Sequence, residues 1–210
     1  MEPPTPSAPP EFILEAFADP SSIKDVVRGI LHTVFFNRFL QAIYPQTREV
    51  LDISLPYIPD AELETMIDQR TQALVRQLDA ERHQPHAGGG GGGGGGSGRG
   101  QVTVQFYERR RRKATAWNML GRGDEEVCWE RWTVKVTVAE PRTETERLKV
   151  RQATKATLLR TVQKIVTYVN THKDHIPPIT TMESNPFPYQ ISINQKAEAG
   201  WAQRMGMGLY

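Results

Sequence analysis

The sequence predicts an α+β domain in which a mostly antiparallel sheet is backed by three helices. Residues 128–138 (CWERWTVKVTV) and residues 101–107 (QVTVQFY) alternate apolar and polar side chains, which is typical of strands with one buried face. Apolar side chains recur at helical spacing in three further stretches, two before this hairpin and one after it. The predicted order is therefore strand, helix, strand, helix, hairpin, helix and strand.

The first half of the chain is predicted to alternate between strands and helices. A strand is expected over residues 12–17, where apolar positions alternate with others. Residues 19–22 (DPSS) indicate a turn and the start of a helix that extends to about Leu40. Alternation over residues 51–57 predicts a second strand, and Asp60 is placed to cap a second helix.

A run of glycines follows the second helix. Residues 88–96 are nine consecutive glycines. Each glycine costs a helix about 1 kcal/mol relative to alanine, so residues 88–100 are predicted to form a flexible loop. Its simplest interpretation is a loop expansion without a function of its own.

The remaining elements are predicted from a cap and from one more alternating stretch. Residues 143–146 (TETE) form the pattern of a capping box and begin the longest helix. Leu158, Val162, Ile165, Val166 and Val169 are expected to line its apolar side. Alternation returns near residues 189–193, which are predicted to be the last strand.

Composition limits the possible classes of protein. A chain of 210 residues is predicted to fold as one domain over residues 11–195, with a disordered proline-rich start (residues 1–10) and a tail (residues 196–210). The net charge of +2 implies no general attraction to nucleic acid. The sequence has a single cysteine, and it shows neither the pattern of a signal peptide nor a long apolar run. These features predict a cytoplasmic protein without a transmembrane segment.

The loop over residues 109–127 is the first candidate site. It begins with five basic residues, namely Arg109, Arg110, Arg111, Arg112 and Lys113. These residues either contact an anionic surface, such as a lipid, a nucleic acid or an acidic partner, or simply keep the end of the strand soluble. Trp117 lies further along the loop. It is interpreted either as an exposed hot spot for a protein partner or as a side chain folded back on the sheet.

The other tryptophans and the histidines have structural interpretations. Trp129 and Trp132 are both interpreted as core residues; because Trp129 falls on the opposite face from Trp132, one of them could instead line an interface. His172 and His175 lack further metal ligands nearby in the sequence and are interpreted as cations at a helix C-terminus. His32 is interpreted as a hydrogen-bonded structural residue.

No motif of an enzyme or a nucleotide-binding protein is present in the sequence. The chain contains no G-x-S-x-G, no phosphate-binding G-K-[ST] and no H-E-x-x-H. Cys128 lies between Val127 and Trp129, a setting that disfavours a thiolate. We therefore expect neither catalysis nor a cofactor, a metal or a small-molecule substrate.

Five segments in order resemble the autophagy-related protein 101 family of HORMA-domain proteins, and we expect a fungal-type variant. The resemblance covers about residues 11–195, and the double-tryptophan string is its most specific part. The matching segments are residues 31–34 (LHTV), 105–107 (QFY) with the basic run after them, 129–136 (WERWTVKV), 143–147 (TETER) and 189–192 (YQIS).

The resemblance implies a single HORMA domain and a function in protein assembly. Its members form a heterodimer with the HORMA domain of autophagy-related protein 13, inside the kinase complex that initiates autophagy. This role implies a non-catalytic scaffold in the cytoplasm and at the preautophagosomal structure, with peripheral membrane association as an option. The alternative function is a module that binds nucleic acid or anionic lipid through residues 109–113.

The resemblance also implies a recruiting loop. Many members carry an exposed Trp-Pro-Phe finger just before the double-tryptophan strand, and this finger recruits downstream autophagy factors. The corresponding residues in this chain are Trp117, Asn118 and Met119. The tryptophan is retained, but the loop lacks the stiffness of the proline and the second aromatic ring.

Overall fold

The computed structural model describes residues 8–40, 44, 46–83, 98–111, 124–179 and 186–194. Three helices and six strands lie in these ranges, and they confirm the predicted α+β class. In chain order they are β1 (Glu11–Ala18), α1 (Ile23–Arg38), β2 (Gln46–Val50), β3 (Ile53–Tyr57), α2 (Ala61–His83), β4 (Arg99–Arg111), β5 (Asp124–Val138), α3 (Glu144–Thr171) and β6 (Tyr189–Ile193).

The main sheet has four strands in the order β1-β5-β4-β6. Strand β4 is antiparallel to both of its neighbours, β5 and β6, whereas β1 lies parallel to β5. Alternation decides which side chains face the helices, and Trp132 is completely buried, as predicted. Phe12 packs against it with 4.6 Å between the ring centroids, which joins the edge strand to the centre of the core.

Side-chain caps begin two of the three described helices. Before α1, the carboxylate of Asp19 instead closes the predicted turn by accepting hydrogen bonds from the backbone N–H groups of Ser21 and Ser22, and the N-cap Ser22 makes no side-chain cap bond. Asp60 Oδ1 accepts from the N–H of Leu63 at 2.8 Å, as predicted for α2. The predicted capping box of α3 is present between Thr143 and Glu146.

Two boundaries differ from the prediction. The single strand predicted over residues 51–57 is a hairpin of β2 and β3 that forms a separate two-stranded sheet. Leu51 and Asp52 form its turn with φ of 51° and 61°, a left-handed conformation that aspartate adopts more readily than leucine does. Helix α1 ends at Arg38, before the predicted Leu40, because the backbone of Phe39 has already left the helical region.

Several predicted segments lie outside the described residues. They are residues 1–7 of the proline-rich start, the nine glycines, residues 112–123 and the tail from residue 195 onward. Trp117, Asn118 and Met119 therefore remain predictions, as do Arg112 and Lys113. Among the described helices, none combines the length and the apolar character that a membrane span requires.

Candidate functional site

Strands β4 and β5 continue beyond their neighbours as a two-stranded ribbon. Strand β6 pairs with β4 only as far as Phe106, and β1 pairs with β5 only from Arg131 onward. The ribbon comprises residues 107–111 and 124–129. At about 3.3 Å per residue, the five residues 107–111 extend β4 by roughly 16 Å past the end of its pairing with β6. The segment that joins the two strands is residues 112–123, which contains the predicted recruiting loop.

Opposite charges face each other across this ribbon. The cross-strand pairs are Arg109 with Glu126, Arg110 with Glu125, and Arg111 with Asp124. Arg109 Nε lies 3.8 Å from Glu126 Oε1. Opposite charges at directly facing positions stabilise an antiparallel pair. The loop predicted over residues 109–127 is therefore shorter at both ends, because these residues extend the two strands.

The same pairing changes the interpretation of the basic run. Two of its members are paired within the ribbon, since Arg109 contacts Glu126 across the strands and Arg110 forms an ion pair with Glu108 on its own strand. A surface that binds nucleic acid or anionic lipid needs an uncompensated basic patch. Arg109 and Arg110 thus fit better as the charged edge of an exposed ribbon, which also discourages pairing with other strands.

A β-bulge lies at the base of the ribbon. Phe106 faces Glu130 and Tyr107 faces Cys128, so that Trp129 has no partner across the ladder. The bulge reverses the alternation and turns Trp129 into the core, where it is only 5% exposed and packs against Phe106 and Phe187. The core interpretation of Trp129 is thus confirmed, whereas its assignment to the opposite face, with the alternative of an interface, was wrong because of the bulge.

Glu130 lies two residues from Trp132, on the same face of β5, and is buried beside the tryptophans. Its carboxylate accepts two hydrogen bonds from Arg38 Nε and one from Arg38 Nη2, at 2.7–3.0 Å. Trp132 Nε1 also donates to it, and His175 Nε2 lies 2.7 Å from its Oε2. Glu130 and Arg38 are 0% and 3% exposed. This group, which we call the Glu130 cluster, joins the base of the ribbon to the end of α1 and to the segment after α3.

The cluster corrects the interpretation of one histidine. His172 caps α3 and its Nδ1 lies 3.2 Å from the carbonyl oxygen of Tyr168, in agreement with a residue at the helix terminus. His175 instead reaches back to Glu130 on β5. Within the described residues no group of three or more potential metal ligands comes together. Burial, opposed chiefly by nearby Arg131, raises the pKa of the Cys128 thiol, as its apolar setting predicted.

Helix α3 carries an exposed apolar stripe. Leu148, Leu159 and Val166 are 58%, 45% and 45% exposed. Their spacings of eleven and seven residues are close to three and two whole turns, so the three side chains lie along one line of the helix. The prediction that Val166 belongs to the buried side was wrong, because the line packed on the domain is narrow. It consists of Thr154, Leu158, Thr161 and Ile165.

His32 also differs from its predicted role. It is 2% exposed, but neither ring nitrogen has a hydrogen-bond partner among the described residues. Burial, reinforced by the nearby positive charges of Arg28 and Arg48, lowers the pKa of His32 from 6.5 to about 4. The imidazole is therefore neutral at pH 7.

This shift predicts an acid-sensitive fold. Between pH 6.5 and 4 the unfolded chain binds a proton at His32 that the folded protein does not, so stability falls as the pH falls through this window. We expect His32 to account for a loss of about 2–3 kcal/mol between pH 7 and pH 4.5, measured by urea unfolding. His32→Gln should lose less stability over the same range, whereas His172→Gln, an exposed control, should behave like the unmodified protein. Equal losses in all three proteins would contradict the assignment.

The chain is similar to known proteins over most of its length. Residues 15–183 match the family model described as Autophagy-related protein 101. A protein of that name from Arabidopsis thaliana is 23% identical over 93% of this chain and 89% of its own length. Another from Schizosaccharomyces pombe is 26% identical over 84% of this chain and 82% of its own length. Because the family model spans most of the sequence, this chain belongs to the Autophagy-related protein 101 family.

Proposed function

We propose that the protein is a non-catalytic scaffold of the autophagy initiation kinase complex, and that it forms a heterodimer with the HORMA domain of autophagy-related protein 13. Membership of the family supports a role in autophagy. The observation that carries the proposal of a partner is the exposed apolar stripe on α3. On this proposal the protein acts in the cytoplasm and at the preautophagosomal structure.

The packing of α3 supports a partner on this helix. Its 28 residues extend about 42 Å, yet its buried residues begin only at Thr154. All of residues 142–149 are exposed. Roughly half of each side chain of Leu148, Leu159 and Val166 is still exposed. Burying the exposed half would contribute about 1–2 kcal/mol per residue. A partner helix or sheet laid along the stripe would provide that burial.

Charges placed on the stripe should weaken the heterodimer without unfolding the domain. We expect the double variant Leu159→Asp/Val166→Asp to bind the HORMA domain of autophagy-related protein 13 at least about thirtyfold more weakly, the effect of losing about 2 kcal/mol at an interface centre. Affinity would be measured by isothermal titration calorimetry. Thermal melting should change little, because surface substitutions rarely alter stability strongly.

The matched control lies on the same helix. Ala156 and Thr167 are exposed and lie roughly 80–100° around α3 from the stripe. Ala156→Asp/Thr167→Asp adds the same charge and should bind normally. Normal binding by the stripe variant, or equal weakening by the control, would show that the partner does not sit on the stripe.

We further propose that the loop at the tip of the ribbon recruits downstream autophagy factors through Trp117, with Asn118 and Met119 beside it. The ribbon supports this proposal because its described strands project from the sheet. Met119 has a flexible thioether that can fill an apolar pocket in place of a second aromatic ring.

Trp117→Ala should separate recruitment from folding. We expect unchanged thermal melting and unchanged heterodimer affinity, but about thirtyfold weaker capture of downstream factors from a lysate, since an aromatic anchor typically contributes about 2 kcal/mol or more. Trp117→Phe, which retains a ring, should recover part of this capture. A fall in melting temperature with Trp117→Ala would place the side chain in the core instead and would rule out the recruiting loop.

A further inference from the structure

A small cavity lies between α1 and the β2–β3 hairpin. Its volume is about 140 Å³. Cavities of this size in protein interiors hold a molecule as large as benzene. One wall is apolar and the other is polar. The residues that matter here are Val50 and Leu55 on the first wall and Arg28, His32, Arg48 and Tyr57 on the second.

Buried hydrogen-bonding atoms on the polar wall lack partners. Both ring nitrogens of His32 and Nη1 of Arg48 make no hydrogen bond within the ranges that the structure describes. A buried polar atom left without a partner costs about 1–3 kcal/mol, so such atoms usually contact water or a ligand. The neutral imidazole offers one donor and one acceptor, and the guanidinium offers a further donor.

The acidic groups nearby on α2 are already engaged. Glu64 accepts hydrogen bonds from Arg28 Nη2 at 2.5 Å, from Arg48 Nη2 at 3.2 Å and from the Tyr57 hydroxyl at 2.5 Å. Asp68 Oδ1 lies 3.1 Å from Arg28 Nε. Neither carboxylate therefore competes freely for the Nη1 donor of Arg48. The guanidinium of Arg48 is also held in place by stacking 4.3 Å from the centre of the Tyr57 ring.

We propose that this cavity binds a small carboxylate, which accepts hydrogen bonds from Arg48 Nη1 and from the N–H group of His32. A planar carboxylate matches the geometry of a guanidinium donor, and charge-assisted hydrogen bonds of this kind are strong. An acetate-sized anion is smaller than the cavity, and its methyl group would contact the apolar wall. The site is separate from the α3 stripe and from the ribbon, so it does not depend on the proposed scaffold function.

The electrostatics at His32 agree with an anionic ligand. After burial, the strongest influences on its pKa are the positive charges of Arg28 and Arg48, which outweigh Glu64 and Asp68. The remaining charged groups that line the cavity are Asp25 and Glu49, whose side chains are exposed to solvent. A bound carboxylate would add negative charge next to the imidazole and raise its pKa. Carboxylate binding and protonation of His32 are therefore expected to favour each other.

NMR titration of the full chain tests the proposal. Sodium acetate is added at constant ionic strength, balanced with sodium chloride, while the ring signals of His32 are followed from pH 3.5 to 7, a range that includes its pKa of about 4. We expect a saturable shift of these signals and a higher midpoint for His32 titration when acetate is bound. Acetamide, a neutral molecule of the same shape, should bind at least tenfold more weakly.

Variants assign the contact to Arg48. Arg48→Met should reduce acetate affinity at least tenfold, whereas Arg160→Met, on the exposed surface of α3, should leave it unchanged. The comparison of acetate with acetamide uses the unmodified chain and does not depend on whether a variant folds. The absence of a saturable shift, equal binding of acetamide, or full affinity in Arg48→Met would each overturn the proposal.

Discussion

Replacing Glu130 by alanine is expected to destabilise the fold by about 3–5 kcal/mol, the usual effect of removing one partner from a buried ion pair. The guanidinium of Arg38 would remain buried without its counter-charge, and the indole N–H of Trp132 would lose its acceptor. Urea unfolding monitored by tryptophan fluorescence measures this loss. The same substitution would also remove the contact that holds His175 to the sheet.

Two further variants identify the cause of the effect. Glu126→Ala removes an exposed acid of the same strand and should cost less than about 1 kcal/mol, as exposed ion pairs do. The double variant Arg38→Met/Glu130→Met should be clearly more stable than Glu130→Ala, because it removes both charges and keeps the volume. A loss in Glu130→Ala no larger than that in Glu126→Ala would show that the cluster does not stabilise the fold.

Replacing Trp132 by alanine is expected to cost a similar amount, about 3–5 kcal/mol, because it removes the largest fully buried side chain among the described residues. The ring packs against Phe12 on the neighbouring strand. Trp132→Phe should cost less, since it keeps much of the packing and loses mainly the hydrogen bond to Glu130. The measurement is again urea unfolding. A loss below about 1 kcal/mol for Trp132→Ala would contradict its place in the core.

These two residues also predict non-additive behaviour. Trp132 and Glu130 contact each other directly, and neighbours in one network usually show interaction energies of about 0.5–3 kcal/mol. The two substitutions combined should therefore cost less than the sum of the single losses. The sequence predicted the burial of Trp132 but not that of Glu130.

Local alternation accounts for what the sequence predicted well. Trp132, Val134 and Val136 recur at every second position, and this pattern alone assigns them to the core face. The helix caps at Asp60 and Thr143 depend on residues three positions apart, and both were predicted correctly from the sequence. Elements of this kind follow from short-range physics, so one sequence is enough to place them.

The Glu130 cluster depends on contacts that are distant in sequence. Arg38 lies 92 positions from Glu130, and His175 lies 45 positions from it. No spacing rule connects such residues. In addition, the bulge at Trp129 shifts the alternation by one residue, so strict period two placed Trp129 on the wrong face.

The sequence contains a signal for the extension of β4 and β5 into the ribbon. Three arginines at positions 109–111 are followed, after the connecting segment, by three acids at positions 124–126. In a hairpin whose register is set by the apolar strands, these residues come to face each other. Reading the two runs together would have extended both strands and reduced the weight of a basic binding surface.

The geometry also connects the two proposed interaction sites. The Glu130 cluster fixes the base of the ribbon to the segment that leaves α3, and α3 itself donates from Lys164 Nζ to the carbonyl oxygen of Ile13 on β1. The ribbon and the helix stripe are thus held on one packed framework. A scaffold that engages one partner along α3 and recruits others through a loop needs such a fixed arrangement.

The molar mass of an equimolar mixture with the HORMA domain of autophagy-related protein 13 tests the proposed heterodimer most directly. Size-exclusion chromatography with light scattering at micromolar concentration would measure it. We expect one peak whose mass equals the sum of the two chains, and a higher melting temperature for the mixture than for this chain alone. Two separate peaks with the masses of the free proteins, and an unchanged melting temperature, would contradict the scaffold function.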